Sequence, residues 1–119
     1  MVIRNRTKET MVAGRVSVAD DSLTRLVGLL NRSSLDPNEG LWIFPSSAIH
    51  TLGMRFAIDA VFLGKMRGGR LCRVKRIYHR LPPWRMTRFV WGSESVLELP
   101  AGAAQAAGIE VGDDLEIQG

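Results

Sequence analysis

The sequence predicts a mainly β protein with antiparallel pairing and two short helices, and three observations carry that expectation. Residues 55–63 alternate, with Phe56, Ile58, Ala60 and Phe62 on one parity and Arg55, Ala57, Asp59, Val61 and Leu63 on the other. Residues 71–78 return beyond a glycine-rich stretch, in which Gly68-Gly69 permits the positive φ of a tight turn, so the two segments read as a hairpin. Two short apolar runs, 41–44 and 95–99, each stop at a proline, Pro45 and Pro100, as strands do.

The remaining elements follow in order. Residues 10–18 place Val12, Val16 and Val18 on one parity and suggest a strand. Asp20, Asp21 and Ser22 offer a helix cap, and Leu23, Leu26, Val27 and Leu30 continue at helical spacing, which predicts a helix near 22–31. Residues 33–40 form a polar loop with Asp36-Pro37-Asn38 as its turn. In the returning strand, Cys72, Val74 and Tyr78 share a face that Arg76 interrupts. Leu81-Pro82-Pro83-Trp84 lacks two consecutive donors and reads as an extended connector. The alanine-rich stretch 101–107 predicts two helical turns, closed by Gly108 with Ile109 packing back in a Schellman ending. Leu115 and Ile117 close the chain in a final strand.

A chain of 119 residues fits one domain spanning 1–119, since a second core would leave each half too small. One cysteine, Cys72, precludes an internal disulfide and suits a reducing cytoplasm. No apolar run reaches the roughly 18 residues that a membrane-spanning helix needs, and the N-terminus lacks the apolar stretch of a signal peptide.

Three stretches together resemble a known family. They are Arg25-x-x-Gly28-Leu29-Leu30-x-Arg32 leading to Gly40-Leu41-Trp42-Ile43-Phe44, the run from His50 to Leu63, and Val96-Leu97-Glu98-Leu99-Pro100-Ala101-Gly102 running on to Gly112-Asp113. In this order they are similar to domain-of-unknown-function family 192, found in bacteria and archaea. The resemblance covers residues 10 to 118 and implies a compact antiparallel β sandwich or barrel, jelly-roll-like; it implies no reaction. Where many members carry Trp-Met-Lys-Asn-Thr, this chain has His50-Thr51-Leu52-Gly53-Met54, so a ligand preference carried by that segment would differ here. Residues 95–118 are also similar to the strand–Pro–short helix–Gly-Ile–turn–strand element of swapped-hairpin transcription factors, an element common at barrel corners.

Charge is unevenly spread. Residues 60–93 hold nine of the sixteen basic groups and none of the twelve acidic ones. Arg67, Arg70, Arg73, Lys75 and Arg76 are the candidate anion-binding set, against the alternative of a solvated hairpin guarding a sheet edge. The candidate ligand site is His50, Thr51, Met54, Arg55, Asp59 and Trp91. In it Asp59 breaks an apolar strand and needs solvent or a partner, with Arg25, Arg32 and Arg55 as the candidates for an ion pair. Trp42, Met54, Trp84 and Trp91 could wall a pocket above it. His50 and Asp59 could support acid–base chemistry, but two histidines and one cysteine are too few for a cluster of metal ligands. There is no Gly-x-Ser-x-Gly motif, and Gly64–Gly69 precedes no helix that could hold a phosphate.

These readings yield three function classes: a non-catalytic domain binding a small molecule or protein, a weakly specific polyanion binder acting through residues 65–88, and a hydrolytic or other acid–base enzyme using His50 and Asp59. The expectation is no cofactor and no metal; oligomeric state is not legible.

Overall fold

The structure, a computed structural model, describes residues 1–19 and 32–119. The helix expected near 22–31, and Arg25 with it, lies outside the described residues. Eight strands form one sheet: β1 (Val2–Asn5), β2 (Thr10–Ala13), β3 (Arg15–Ala19), β4 (Glu39–Ile43), β5 (Ile58–Leu63), β6 (Leu71–Leu81), β7 (Ser95–Pro100) and β8 (Asp114–Gln118). Their order across the sheet is β2-β1-β8-β6-β5-β7-β4-β3. Every neighbouring pair is antiparallel except β3 with β4. The mainly β, barrel-like expectation holds.

The two ends of the sheet lie together in the chain. Its two edges, β2 and β3, follow one another in sequence with only Gly14 between them, so the continuous strand expected over 10–18 is in fact two edge strands. The amide of Val16 then donates to the Met1 carbonyl at 2.9 Å, joining β3 to the start of the chain. That bond covers part of an edge that would otherwise invite aggregation. The interior is crowded. A Cβ on Gly40 would sit 3.3 Å from Ala13, Leu97 and Leu99 at once, which is why β4 carries a glycine there.

Two apolar clusters lie on opposite faces of the central strands. Ile3, Val61, Leu63, Val74, Leu97 and Leu115 belong to the interior cluster, while Ile58, Ala60, Phe62, Val96 and Leu81 belong to an outer one with Ile43, Ile49, Met54 and Val90. All six residues of β5 are buried. Both faces of this strand are therefore covered, the outer one by loops from elsewhere in the chain. The strand also begins at Ile58, so Arg55 precedes it and does not share a strand face with Asp59.

Two register shifts in β6 explain an irregularity of the sequence pattern. Leu63 pairs with Val74 but Phe62 with Arg76, so Lys75 is an extra residue and the parity resets behind it. Cys72 and Val74 thus face the interior, Ile77 takes over that role, and Arg76 and Tyr78 face outward, with the guanidinium 4.7 Å over the ring. Further on, Ile58 pairs with Leu81 and Ala60 with Tyr78, leaving His79 and Arg80 together opposite Asp59. Arg80 adopts a positive φ of 51° in this second bulge.

The helix α1 (Ala103–Ala106) falls inside the stretch expected to be helical. Its ending is the expected Schellman motif: Gly108 at φ 69° donates to the Gln105 carbonyl, and Ile109, buried, donates to that of Ala104. At the other end of the described loop, Arg32 forms a two-pronged ion pair with Glu39 at 2.5 and 2.6 Å. The Arg32 hydrogen bond holds the Glu39 carboxyl down at about 2.

Candidate functional site

The cover on the outer cluster is a two-stranded ribbon that sequence pattern alone does not reveal. Residues 46–51 and 84–94 run antiparallel, joined by backbone hydrogen bonds from Ser46 to Glu94, Val90 to Ser47, Thr87 to Ile49, Thr51 to Arg85 and Trp84 to Thr51, at 2.8–2.9 Å. Ile49, Thr51, Thr87 and Val90 turn inward and are buried. Their neighbours turn outward: Trp84 is 65% exposed, Met86 72%, Phe89 64% and Trp91 88%, with Arg85 and Arg88 exposed between them. The Phe89 and Trp91 rings meet edge-on, 6.2 Å apart. Six large side chains, four apolar and two cationic, thus stand in solvent within eight residues.

Thr51 holds the ribbon together. Its hydroxyl donates to the Pro82 carbonyl at 2.7 Å and accepts from the Arg85 amide at 3.0 Å. Thr51→Val keeps the shape and removes both bonds, which should cost about 1–2 kcal/mol and speed amide hydrogen exchange across residues 82–91. Unchanged exchange there would show that the hydroxyl does not hold the ribbon.

Of the six residues expected to form one ligand site, the structure places His50, Thr51, Met54 and Trp91 in or under the ribbon and turns Asp59 away from it. His50 lies half-buried in the ribbon, bridged to Met86, and its Nδ1 accepts from the Leu52 amide at 3.3 Å. Met54 is buried in the outer cluster, Arg55 is exposed, and Trp91 stands at the ribbon's end. Asp59 is fully buried and points the other way, towards α1. Its Oδ1 accepts from the Arg80 amide at 2.8 Å, and its Oδ2 from the amides of Gly102 and Ala104 at 3.0 and 2.9 Å. These are backbone partners; of the arginines expected to pair with it, Arg32 is bound to Glu39 and Arg55 is out in solvent, while Arg25 lies outside the described residues. The carboxylate fastens the β6 bulge to the start of α1. The proposed walls are also apart, since Trp42 lies in the interior cluster whereas Trp84 and Trp91 are outside.

Among the described residues, two shallow grooves are present. One, of about 560 Å³, is lined by Phe44, Pro45, Ser46, Ser47, Ser93 and Glu94; the other, of about 450 Å³, by His79, Gln105, Gly108, Ile109 and Glu110. Neither contains a residue of the expected site. No group of three or more His, Cys, Asp or Glu among the described residues is arranged to hold a metal ion. Burial pushes the Cys72 thiol up, away from the thiolate that reactivity needs.

All nine basic side chains of residues 60–93 are exposed. Asp114 takes two of them, pairing with Arg67 and lying 3.6 Å from Arg73. Lys75 connects the basic hairpin to the ribbon. Its Cε would lie 2.7 Å from a Cβ on Gly64 and 3.8 Å from one on Gly92, so the side chain runs across Gly64 to the residue following Trp91. Sequence reasoning found the cations and two of the tryptophans but not the face they form. The available signal was two arginines interleaved with four large apolar residues directly after Pro82-Pro83.

Comparison with known proteins gives consistent matches. The model of DUF192, described as an uncharacterized ACR, matches residues 2–117. A UPF0127 protein of Thermococcus sibiricus is 31% identical over 120 residues, covering 94% of this chain and 71% of that protein. A UPF0127 protein of Pyrococcus furiosus is 31% identical over 94% of both. Among solved structures, a protein of unknown function from Novosphingobium aromaticivorans superposes with a TM-score of 0.71 at 25% identity, over 86% of this chain and 74% of that one. A candidate transcription regulator from Sinorhizobium meliloti gives 0.70 at 22% identity over 97% and 89%, a likeness of fold.

Proposed function

This chain belongs to the DUF192 family, and we propose that it is a single-domain, non-catalytic binding module whose binding face is the outer side of the ribbon. The observation that carries this reading is the exposure of Trp84, Met86, Phe89 and Trp91 on a segment that is otherwise firmly anchored. Exposed apolar side chains scattered singly are ordinary; four within eight residues mark an interaction surface. Anchoring matters because it removes in advance the ordering cost that a loose loop would incur on binding. The non-catalytic part is supported by the separation of His50 and Asp59, which lie on opposite faces of the central strands, with Asp59 occupied by three amides. A buried, lone thiol fits a cytoplasmic location.

Photo-crosslinking side chains placed at positions 89 and 91 in the full chain, and at Gln118 as a control, test the face in living cells. Adducts are expected from 89 and 91 and not from 118. Equal yields at all three positions would remove the ribbon from consideration. A second reading, a weakly specific polyanion binder acting through residues 65–88, draws support from the exposure of every basic side chain in that stretch.

A further inference from the structure

We infer that the ribbon docks on a membrane surface, and that what it takes is the interface of a bilayer carrying anionic phospholipid. This rests on the reading of the ribbon as the binding face and adds the class of its partner. The exposed groups are of two kinds together: Trp84, Met86, Phe89 and Trp91 are apolar or amphipathic, whereas Arg85 and Arg88 are cations set between them. No carboxylate occurs between residues 60 and 93. Lys75 brings a further ammonium from the hairpin to the Trp91 end through its passage across Gly64 and Gly92.

A bilayer interface satisfies the whole set at once. Indole rings settle at headgroup depth, Met86 and Phe89 reach acyl carbon, and guanidinium and ammonium groups meet lipid phosphates. The attachment would be peripheral, since no helix among the described residues is long and apolar enough to cross.

Other occupants fit less of the face. A second copy of the chain on a two-fold axis would set Arg85, Arg88 and Lys75 against their own counterparts, with Glu94 at the ribbon's end as its one carboxylate. A single-stranded nucleic acid suits the cations, but bases stack on flat ring faces. Met86 and the exposed Leu52 have no such face, and the Phe89 and Trp91 planes stand at 63° to one another.

The test uses the full chain, vesicles of phosphatidylcholine with or without phosphatidylglycerol, and an oligothymidylate. Co-sedimentation should be about tenfold or more stronger on the anionic vesicles at low salt and should weaken as salt rises. Brominated acyl chains should quench tryptophan fluorescence. The pair Phe89→Ser with Trp91→Ser should lower vesicle affinity about tenfold or more while leaving its dependence on anionic lipid. The pair Arg85→Gln with Arg88→Gln should flatten that dependence, and Arg15→Gln, on the edge strand β3, should change neither. Equal binding to both vesicle types, indifference to the loss of Trp91, or binding to the oligothymidylate without vesicle binding would overturn the proposal. Crosslinked adducts at 89 and 91 alongside absent vesicle binding would discard the lipid and keep the ribbon; absence of both would discard the two together.

Discussion

Asp59→Asn should lower the melting temperature by on the order of 10 °C, corresponding to about 3 kcal/mol at the midpoint. Three backbone donors converge on the wild-type carboxylate, one on Oδ1 and two on Oδ2. An asparagine keeps a single oxygen, so its amide nitrogen must face at least one of those N–H groups. Orienting the oxygen towards Gly102 and Ala104 sets the nitrogen against the Arg80 amide in the bulge; the reverse strands the start of α1. Either way a buried donor loses its acceptor, and the charge that strengthened the other bonds is gone. Asp59→Ala strands all three and should fall further. An unchanged or raised melting temperature would mean that the carboxylate is not a fastening, and would return it to the list of ligand-site groups. Thermal unfolding by circular dichroism decides.

That prediction shows where sequence patterning succeeds and where it stops. The hairpin of β5 and β6 and the Schellman ending at Gly108 are legible because each is written in residues close together in the chain. The role of Asp59 is not, because its partners lie 21, 43 and 45 residues away and are amides, which every residue carries. The same holds for β1. Val2–Asn5 is four residues long and contains Arg4 and the fully buried Asn5, so its local pattern does not announce a strand. Its placement comes from pairing with β8 at the far end of the chain. Bulges hide in a similar way, since Arg76 looks like a flaw in an apolar face until Lys75 is counted as an extra residue.

For the candidate site the boundary falls at the register of the ribbon. The sequence marks Trp84, Trp91, Arg85 and Arg88 as present, but whether they face a pocket or solvent depends on which of their neighbours hydrogen-bond to residues 46–51. Thr51 and Thr87 settle that by turning inward to carbonyl and amide partners, which forces the bulky neighbours out. A tryptophan expected to wall a pocket therefore ends at the surface. The motif segment His50–Met54 has a corresponding role: Thr51 and Met54 support the ribbon from below.

A second large effect is expected at Asp113, in a buried polar cluster that ties the two chain ends together. Its carboxylate accepts from the Asn5 side-chain amide at 2.9 Å, from the Lys8 ammonium at 2.9 Å and from the Glu110 amide at 3.0 Å. The Asn5 Oδ1 in turn accepts from the Lys8 amide at 3.0 Å, so the turn after β1 and the turn before β8 share one network. Burial raises the Asp113 carboxyl, but the hydrogen bonds from Asn5, Lys8 and Glu110, with the Lys8 charge, outweigh it and hold the group below its ordinary range. A folded value beneath the unfolded one stabilises the protein above the ordinary carboxyl pKa, and that contribution is lost as pH falls through the folded value. Asp113→Ala should therefore cost about 2–3 kcal/mol near neutral pH, by leaving Asn5 and the Glu110 amide without their acceptor. The gap between variant and wild type should narrow below about pH 4, where this carboxyl in the unfolded chain begins to take up its proton, and go on narrowing as pH falls through the lower folded value. Urea unfolding of both proteins at several pH values measures the gap directly. A difference that stayed constant from neutral pH down through the acid limb would mean that the charge on Asp113 contributes nothing, leaving only the loss of its shape.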